Sequence, residues 1–166
     1  MNKVKGFTLI EVLVVITIVS SVSVFLSSSN AFSLLSNENT LLKAKENLGL
    51  SLLRARQLAV NSQTEVILCG GVSCNGNWSQ GVSILIQNDV LYSHVFPNDI
   101  EVKWKGFPVH KTSVSFLPNG LSSYQNGTFY LCDATFYSYI RLNQSGRFYS
   151  SPLLEMQIEN TEDILC

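Results

Sequence analysis

Charge is scarce in this chain. Only 14% of its 166 residues are Asp, Glu, Lys or Arg, where an ordinary globular domain has about a quarter. Neither sign predominates, because 11 Lys and Arg face 12 Asp and Glu. Bulk charge therefore excludes a strongly basic nucleic-acid binder and leaves only a local patch to consider. Four cysteines are too few for a disulfide scaffold but enough for two bridges. The four prolines and ten glycines form no linker run, and no repeat or low-complexity segment is present. With 46% apolar residues, neither disorder nor a coiled coil describes the chain. Its length suits one domain with an appendage.

The apolar residues crowd the N-terminus. Met1–Gly6 is short and polar and carries Lys3 and Lys5; from Phe7 to Leu26, fourteen of twenty residues are large and apolar. That run is long enough to cross a bilayer as a helix, with the two lysines holding its start on the cytoplasmic side. Glu11 does not fit such a segment, since an acid in lipid is costly and marks a function by default. A secretory signal peptide would explain it poorly: the apolar region is too long, and Ser27-Ser-Ser-Asn30 offers no small-x-small cleavage site. A plain anchor whose Glu11 reaches back to the headgroups is the other bland alternative.

Beyond the anchor, Ala31, Leu34, Leu35, Leu41, Leu42, Leu48, Leu52, Leu53, Ala55 and Ala59 recur mainly at steps of three and four, which predicts one helix from Phe7 to about Asn61. Lys43, Lys45, Arg54 and Arg56 fall between them as the expected solvated face. From Thr64 the period becomes two. Strands are expected over 65–69, 78–86, 90–96, 100–105, 113–116, 128–132, 137–142 and 146–149, with turns at Asn88-Asp89 and Leu117-Pro-Asn-Gly120 and a hairpin around 143–145. The sum is an α+β domain, a long helix packed on antiparallel sheet.

The segment Lys5-Gly6-Phe7-Thr8-Leu9-Ile10-Glu11-Val12 is similar to the class III signal of type IV pilins and type II secretion pseudopilins. Asn77-Trp-Ser-Gln-Gly81, Phe116-Leu-Pro-Asn-Gly120, Phe129-Tyr-Leu-Cys132 and Ile140-Arg-Leu-Asn-Gln-Ser-Gly-Arg147 resemble the FimT/FimU/GspH group within that superfamily. The resemblance implies a pilin-like fold and cleavage between Gly6 and Phe7 by a prepilin peptidase, with N-methylation of the Phe7 amine. It also implies an assembly role for Glu11, whose carboxylate pairs in a filament with the N-terminal amine of a neighbouring subunit. The resulting organisation is a leader over 1–6, a transmembrane helix over 7–26, its amphipathic continuation over 27–62, and an antiparallel β domain over 63–166. The protein would sit in the bacterial inner membrane with that domain in the periplasm, then join a pilus or pseudopilus filament beside other minor and major pilins or pseudopilins.

On that topology the cysteines lie in an oxidising compartment. Cys69 and Cys74, five positions apart across a Gly-rich turn, can meet locally, which leaves Cys132 with Cys166. The second bridge would tether the tail and stabilise by roughly 3 kcal/mol in the chain-entropy model. A zinc site is the rival, but Cys132 and Cys166 form no close second pair.

No nucleophile, metal, cofactor or phosphate motif surrounds His94 or His110, and Asp99, Glu101, Glu155, Glu159, Glu162 and Asp163 form no catalytic pair. A non-enzyme is expected. The leading function implied by the resemblance is a structural minor pilin of a type IV pilus tip or priming complex; the alternative of the same kind is a GspH-type pseudopilin. A different class is a DNA-binding subunit. FimT-like proteins use a Gly-Arg-x-Arg segment for this; here Gly146-Arg147 matches, but the second Arg is absent at Tyr149. Lys103, Lys105, Lys111, Arg141 and Arg147 are the candidate cations, with Phe148 or Tyr149 available to stack on bases. DNA is the less favoured partner.

Overall fold

The computed structural model describes residues 8–27, 31–109 and 112–156, with backbone alone for 22–27 and 31–37. The chain divides into two units, Met1–Ser36 and Asn37–Cys166. The helix expected to run unbroken from Phe7 to about Asn61 is described as α1 (Leu9–Ser27) and α2 (Ala31–Ser62); residues 28–30 lie outside the described residues.

In the first unit, α1 is apolar on all sides, and its side chains from Leu9 to Val19 are exposed. Its described hydroxyls within the helix bond its own backbone. Thr17, Ser20 and Ser21 donate to the carbonyls of Val14, Ile16 and Ile18, so the backbone satisfies them. Among the described residues no helix is long and apolar enough to cross a membrane.

In the second unit, α2 buries a stripe of Leu41, Ala44, Leu48, Ser51, Leu52, Ala55 and Ala59, the spacing of one helix face. Two antiparallel sheets receive it. Sheet A has the order β3 (Asp89–Val95), β2 (Gly81–Ile86), β1 (Val66–Gly70), β5 (Ser113–Phe116); sheet B has the order β4 (Glu101–Phe107), β6 (Asn126–Cys132), β7 (Phe136–Leu142), β8 (Phe148–Ser150), with β9 (Leu154–Glu155) also paired to β7. Val66, Leu68, Val82, Ile84, Val114 and Phe116 point into the core from sheet A, and Val102, Phe129, Leu131, Ile140 and Leu142 from sheet B. Every second residue faces the core, as the period-two pattern requires.

Two differences from expectation have local causes. Trp78–Gln80 is a 3-10 turn rather than the start of β2, because the Asn77 side chain accepts from the Ser79 N–H at 3.1 Å and caps it. The β2–β3 turn is Gln87-Asn88, both at positive φ (50° and 73°), the backbone of a two-residue type I′ hairpin. Trp104 lies 4.6 Å from Phe129, whose other neighbour Trp78 is at 4.8 Å. Its indole occupies the space that Cβ atoms would take on the register pair Gly106 and Gly127, at 2.9 and 2.5 Å. Glycine at both positions is what admits the ring.

Two glycine substitutions test this packing in opposite directions. Gly146 has φ +70° and a Cβ there would stand 2.0 Å from the Gly120 carbonyl oxygen, so Gly146→Ala should destabilise by about 2 kcal/mol or more. At Gly49 in α2 a Cβ meets only Phe148 and Ile140, at 3.6 and 3.9 Å, so Gly49→Ala should be neutral or stabilise by up to about 1 kcal/mol. Thermal unfolding followed by circular dichroism reads both.

Candidate functional site

Three constellations carry the chemistry that the sequence singled out. The first is the start of α1. Thr8 precedes the helix, and Glu11 is its third residue. The Thr8 N–H and hydroxyl each donate to Glu11 Oε2 at 2.9 Å, and the Glu11 N–H donates to Thr8 Oγ1 at 3.4 Å. This is a reciprocal capping box. Within its own chain, then, Glu11 has a partner, and both capping contacts to its carboxylate use the same oxygen. The role of Thr8 escaped the sequence reading, although Thr8-Leu-Ile-Glu11 carries the capping-box spacing. Gly6 and Phe7 lie outside the described residues.

The second constellation joins α2 to two turns. Arg56 Nε donates to the Gly120 carbonyl at 3.0 Å. The turn Leu117–Gly120 closes with Gly120 N–H to Leu117 O at 2.8 Å, and Asn143–Gly146 closes the same way at 2.9 Å. The two turns abut: Ser122 N–H donates to Gln144 O at 3.0 Å and Ser122 Oγ to Asn143 O at 3.0 Å. Arg56 was expected on a solvated face, and so was Lys45, whose Nζ donates to the Ser151 carbonyl at 3.0 Å. Arg54 stands 4.6 Å above the Tyr92 ring. These three cations anchor the helix to the β domain, and Lys43 alone of the four remains simply exposed. The sequence reading failed here because a long basic side chain can satisfy a carbonyl several ångströms beyond its own helix face. Gly146, read as half of a DNA-binding motif, has a structural role in this junction.

The third is the outer face of sheet B. Register places Lys105 opposite Thr128 and Thr128 opposite Arg141, which pairs with Tyr149; one row along, Lys103 faces Tyr130, which faces Tyr139. The structure thus brings Lys103, Lys105 and Arg141 onto one face with three tyrosines. Lys103 pairs with Glu101 at 3.0 Å, an exposed ion pair worth little in stability. Arg147 is exposed just beside this face at the β7–β8 turn. Lys111, like His110, lies outside the described residues. Phe148 was offered as a base-stacking ring; it pairs with Leu142 and packs against the core, so only Tyr149 is available from that pair. His94 is half-buried in β3, edge-on to Phe96 at 5.5 Å. Among the described residues no cluster of three or more His, Cys, Asp or Glu could hold a metal.

Cys69 and Cys74 are bridged, with Cα atoms 5.2 Å apart. Their loop folds over the outer face of sheet A, where Ser83 Oγ donates to the Gly71 and Val72 carbonyls at 3.1 and 3.0 Å. Cys132 is also disulfide-bonded, and Cys166 lies outside the described residues, as do Glu159, Glu162 and Asp163.

A helix laid on two antiparallel sheets, preceded by an apolar helix whose acid sits at its first turn, defines a pilin-like protein. Residues 44–146 match the family described as type II transport protein GspH, and residues 1–27 match the prokaryotic N-terminal methylation motif. The chain belongs to the GspH family. The matched span contains Arg56, Gly120 and Gly146, the whole of the turn junction. Among solved structures, the type IV minor pilin FimU of Pseudomonas aeruginosa is similar in two crystal forms. One has a TM-score of 0.59 at 22% identity, covering 71% of this chain and 92% of FimU. The other has 0.56 at 22% identity, covering 67% and 92%. At this identity the likeness is one of fold. No curated protein sequence matches the chain.

Non-reducing peptide mapping should show Cys69 joined to Cys74, and we propose Cys166 as the partner of Cys132. A Cys69 or Cys74 peptide linked to Cys132 or Cys166 would refute the pairing.

Proposed function

We propose that the protein is a minor pilin, a structural subunit of a type IV pilus tip or priming complex that supports pilus assembly, and not an enzyme. One coincidence carries this: an N-terminal methylation motif and a GspH-family domain with the fold of FimU occur in a single chain. On this reading a prepilin peptidase cuts between Gly6 and Phe7 and the new Phe7 amine is methylated. Residues 7–26 span the inner membrane, 27–62 continue the helix, and 63–166 form the periplasmic domain. The backbone-bonded hydroxyls of Thr17, Ser20 and Ser21 support that placement, since lipid offers them no partner. Glu11 then exchanges its Thr8 contacts for the N-terminal amine of a neighbouring subunit. An acid left unpaired in a low-dielectric filament core would be costly, so the exchange selects the correct register.

The family's description as a transport protein supports a second reading, a GspH-type pseudopilin of a type II secretion system. Processing and fold would be the same and the partners different. Cross-linking in native membranes separates the two by recovering pilins or secretion pseudopilins.

DNA uptake rests on the shared face of Lys103, Lys105 and Arg141. Against it, setting aside Lys3, Lys5 and Glu11 from the totals of 11 and 12 leaves nine cations and eleven acids, a net repulsion of polyanions. Duplex DNA should bind with a dissociation constant of about 10⁻⁴ M or weaker at physiological salt. Micromolar, steeply salt-dependent binding lost in Arg147→Ala, read by gel shift, would reverse the ranking.

Intact-mass measurement of membrane-extracted protein should give a chain beginning at N-methylated Phe7. A mature N-terminus near residue 30 would mean an ordinary signal peptide and end the pilin reading. In the same strain, Glu11→Ala should leave the protein in the membrane and alter its incorporation into filaments; unchanged incorporation would remove the role given to Glu11.

A further inference from the structure

The outer face of sheet B ends in a depression of about 400 Å³ lined by Phe107, Asn126, Thr128, Arg141 and Asn143. Its volume lies in the range of small-ligand sites. Its lining is chemically selective. Arg141 lies with its guanidinium carbon 5.7 Å from the Tyr139 ring centre and 5.5 Å from that of Tyr149. Two aromatic neighbours restrict the planar fork without using its N–H donors. Among the described residues no acid pairs with it; the acid on this face, Glu101, is taken by Lys103. The Asn126 and Asn143 amides and the Thr128 hydroxyl are likewise without side-chain partners among the described residues. Phe107 is 63% exposed at the rim, so its ring face is open to a ligand.

A fixed guanidinium with free donors suits a carboxylate, which it can grip by two parallel hydrogen bonds. Two amides and a hydroxyl suit the hydroxyl groups of a sugar, and an exposed phenyl ring suits the apolar face of a pyranose. We propose that this depression is a binding site for a carboxylate-bearing sugar, with Arg141 receiving the carboxylate, Asn126 and Asn143 the hydroxyls, and Phe107 the ring face. A nucleic acid fits less well. Strand spacing sets Lys105 and Arg141 about 10 Å apart, and Lys103 is engaged by Glu101 at 3.0 Å, so no continuous row of free cations tracks a phosphate backbone.

The test uses the full-length protein in detergent micelles, with trigalacturonate as the acidic probe, maltotriose as the neutral one and a short oligothymidylate as the competing class. Calorimetric titration should show trigalacturonate binding with a dissociation constant of about 1 mM or tighter, and maltotriose at least tenfold weaker. Arg141→Lys keeps a cation above the tyrosines but loses the fork, and should weaken trigalacturonate about tenfold without moving the unfolding temperature. Phe107→Ala should weaken both sugars, and Lys103→Gln should leave trigalacturonate unchanged. The proposal is overturned if trigalacturonate fails to bind at about 10 mM, if maltotriose binds equally well, or if Arg141→Lys has no effect. It is also overturned if oligothymidylate binds more tightly than trigalacturonate and depends on Lys103 and Lys105, which would assign the face to nucleic acid.

Discussion

The β domain depends on one hydrogen bond out of α2. Arg56 Nε reaches the carbonyl of Gly120 at 3.0 Å, and that same carbonyl oxygen occupies the place where a Cβ on residue 146 would be. One peptide group is therefore hydrogen-bonded from the helix and closely approached by the β7–β8 turn. The turn after β5 belongs to sheet A and the turn before β8 to sheet B, so the contact ties both sheets to the helix at a single point. A charged donor on a half-buried carbonyl contributes about 1.5–3 kcal/mol, a large part of the margin of a domain this size. Ser122, fully buried, adds its hydroxyl and N–H to the same joint.

This joint explains two of the segments by which the chain resembles its family. Leu117-Pro-Asn-Gly120 and Asn143-Gln-Ser-Gly146 are similar turns, each closed by a glycine N–H and each ending at positive φ. Each is an i to i+3 turn of the kind that favours glycine at its last position, and the two lie against one another. A Gly-Arg pair at 146 and 147 is consequently no specific sign of nucleic-acid binding. Its glycine is required by the neighbouring carbonyl, and only its arginine is free to take on another role.

The strands and their faces were legible because alternation over Glu65–Cys69 or Ile100–Lys105 follows directly from one buried and one exposed sheet surface. The Cys69–Cys74 bridge was legible because a short glycine-rich separation leaves those two residues little choice. What could not be seen were effects of distance. Nothing local distinguishes Arg56, which reaches a turn 64 positions away, from Lys43, which is exposed and has no partner among the described residues. Nor does β9, two residues long, carry a period of its own; it exists because β7 offers an edge beside Phe136 and Tyr137. Trp78 read as a strand residue by its β-propensity, and the Asn77 cap overrode that preference. In the candidate sugar site, each lining residue is ordinary by itself, and only the register of β4, β6 and β7 brings them together.

Amide hydrogen exchange on Arg56→Met measures the joint most directly, since methionine keeps the aliphatic stem and removes only the donor. The account predicts that protection falls together at the Gly120 and Gly146 amides and at the Ser122 amide between them, while the β1–β2 ladder around Leu68 keeps its protection. Loosening confined to the Gly120 turn, or no change at either turn, would contradict it.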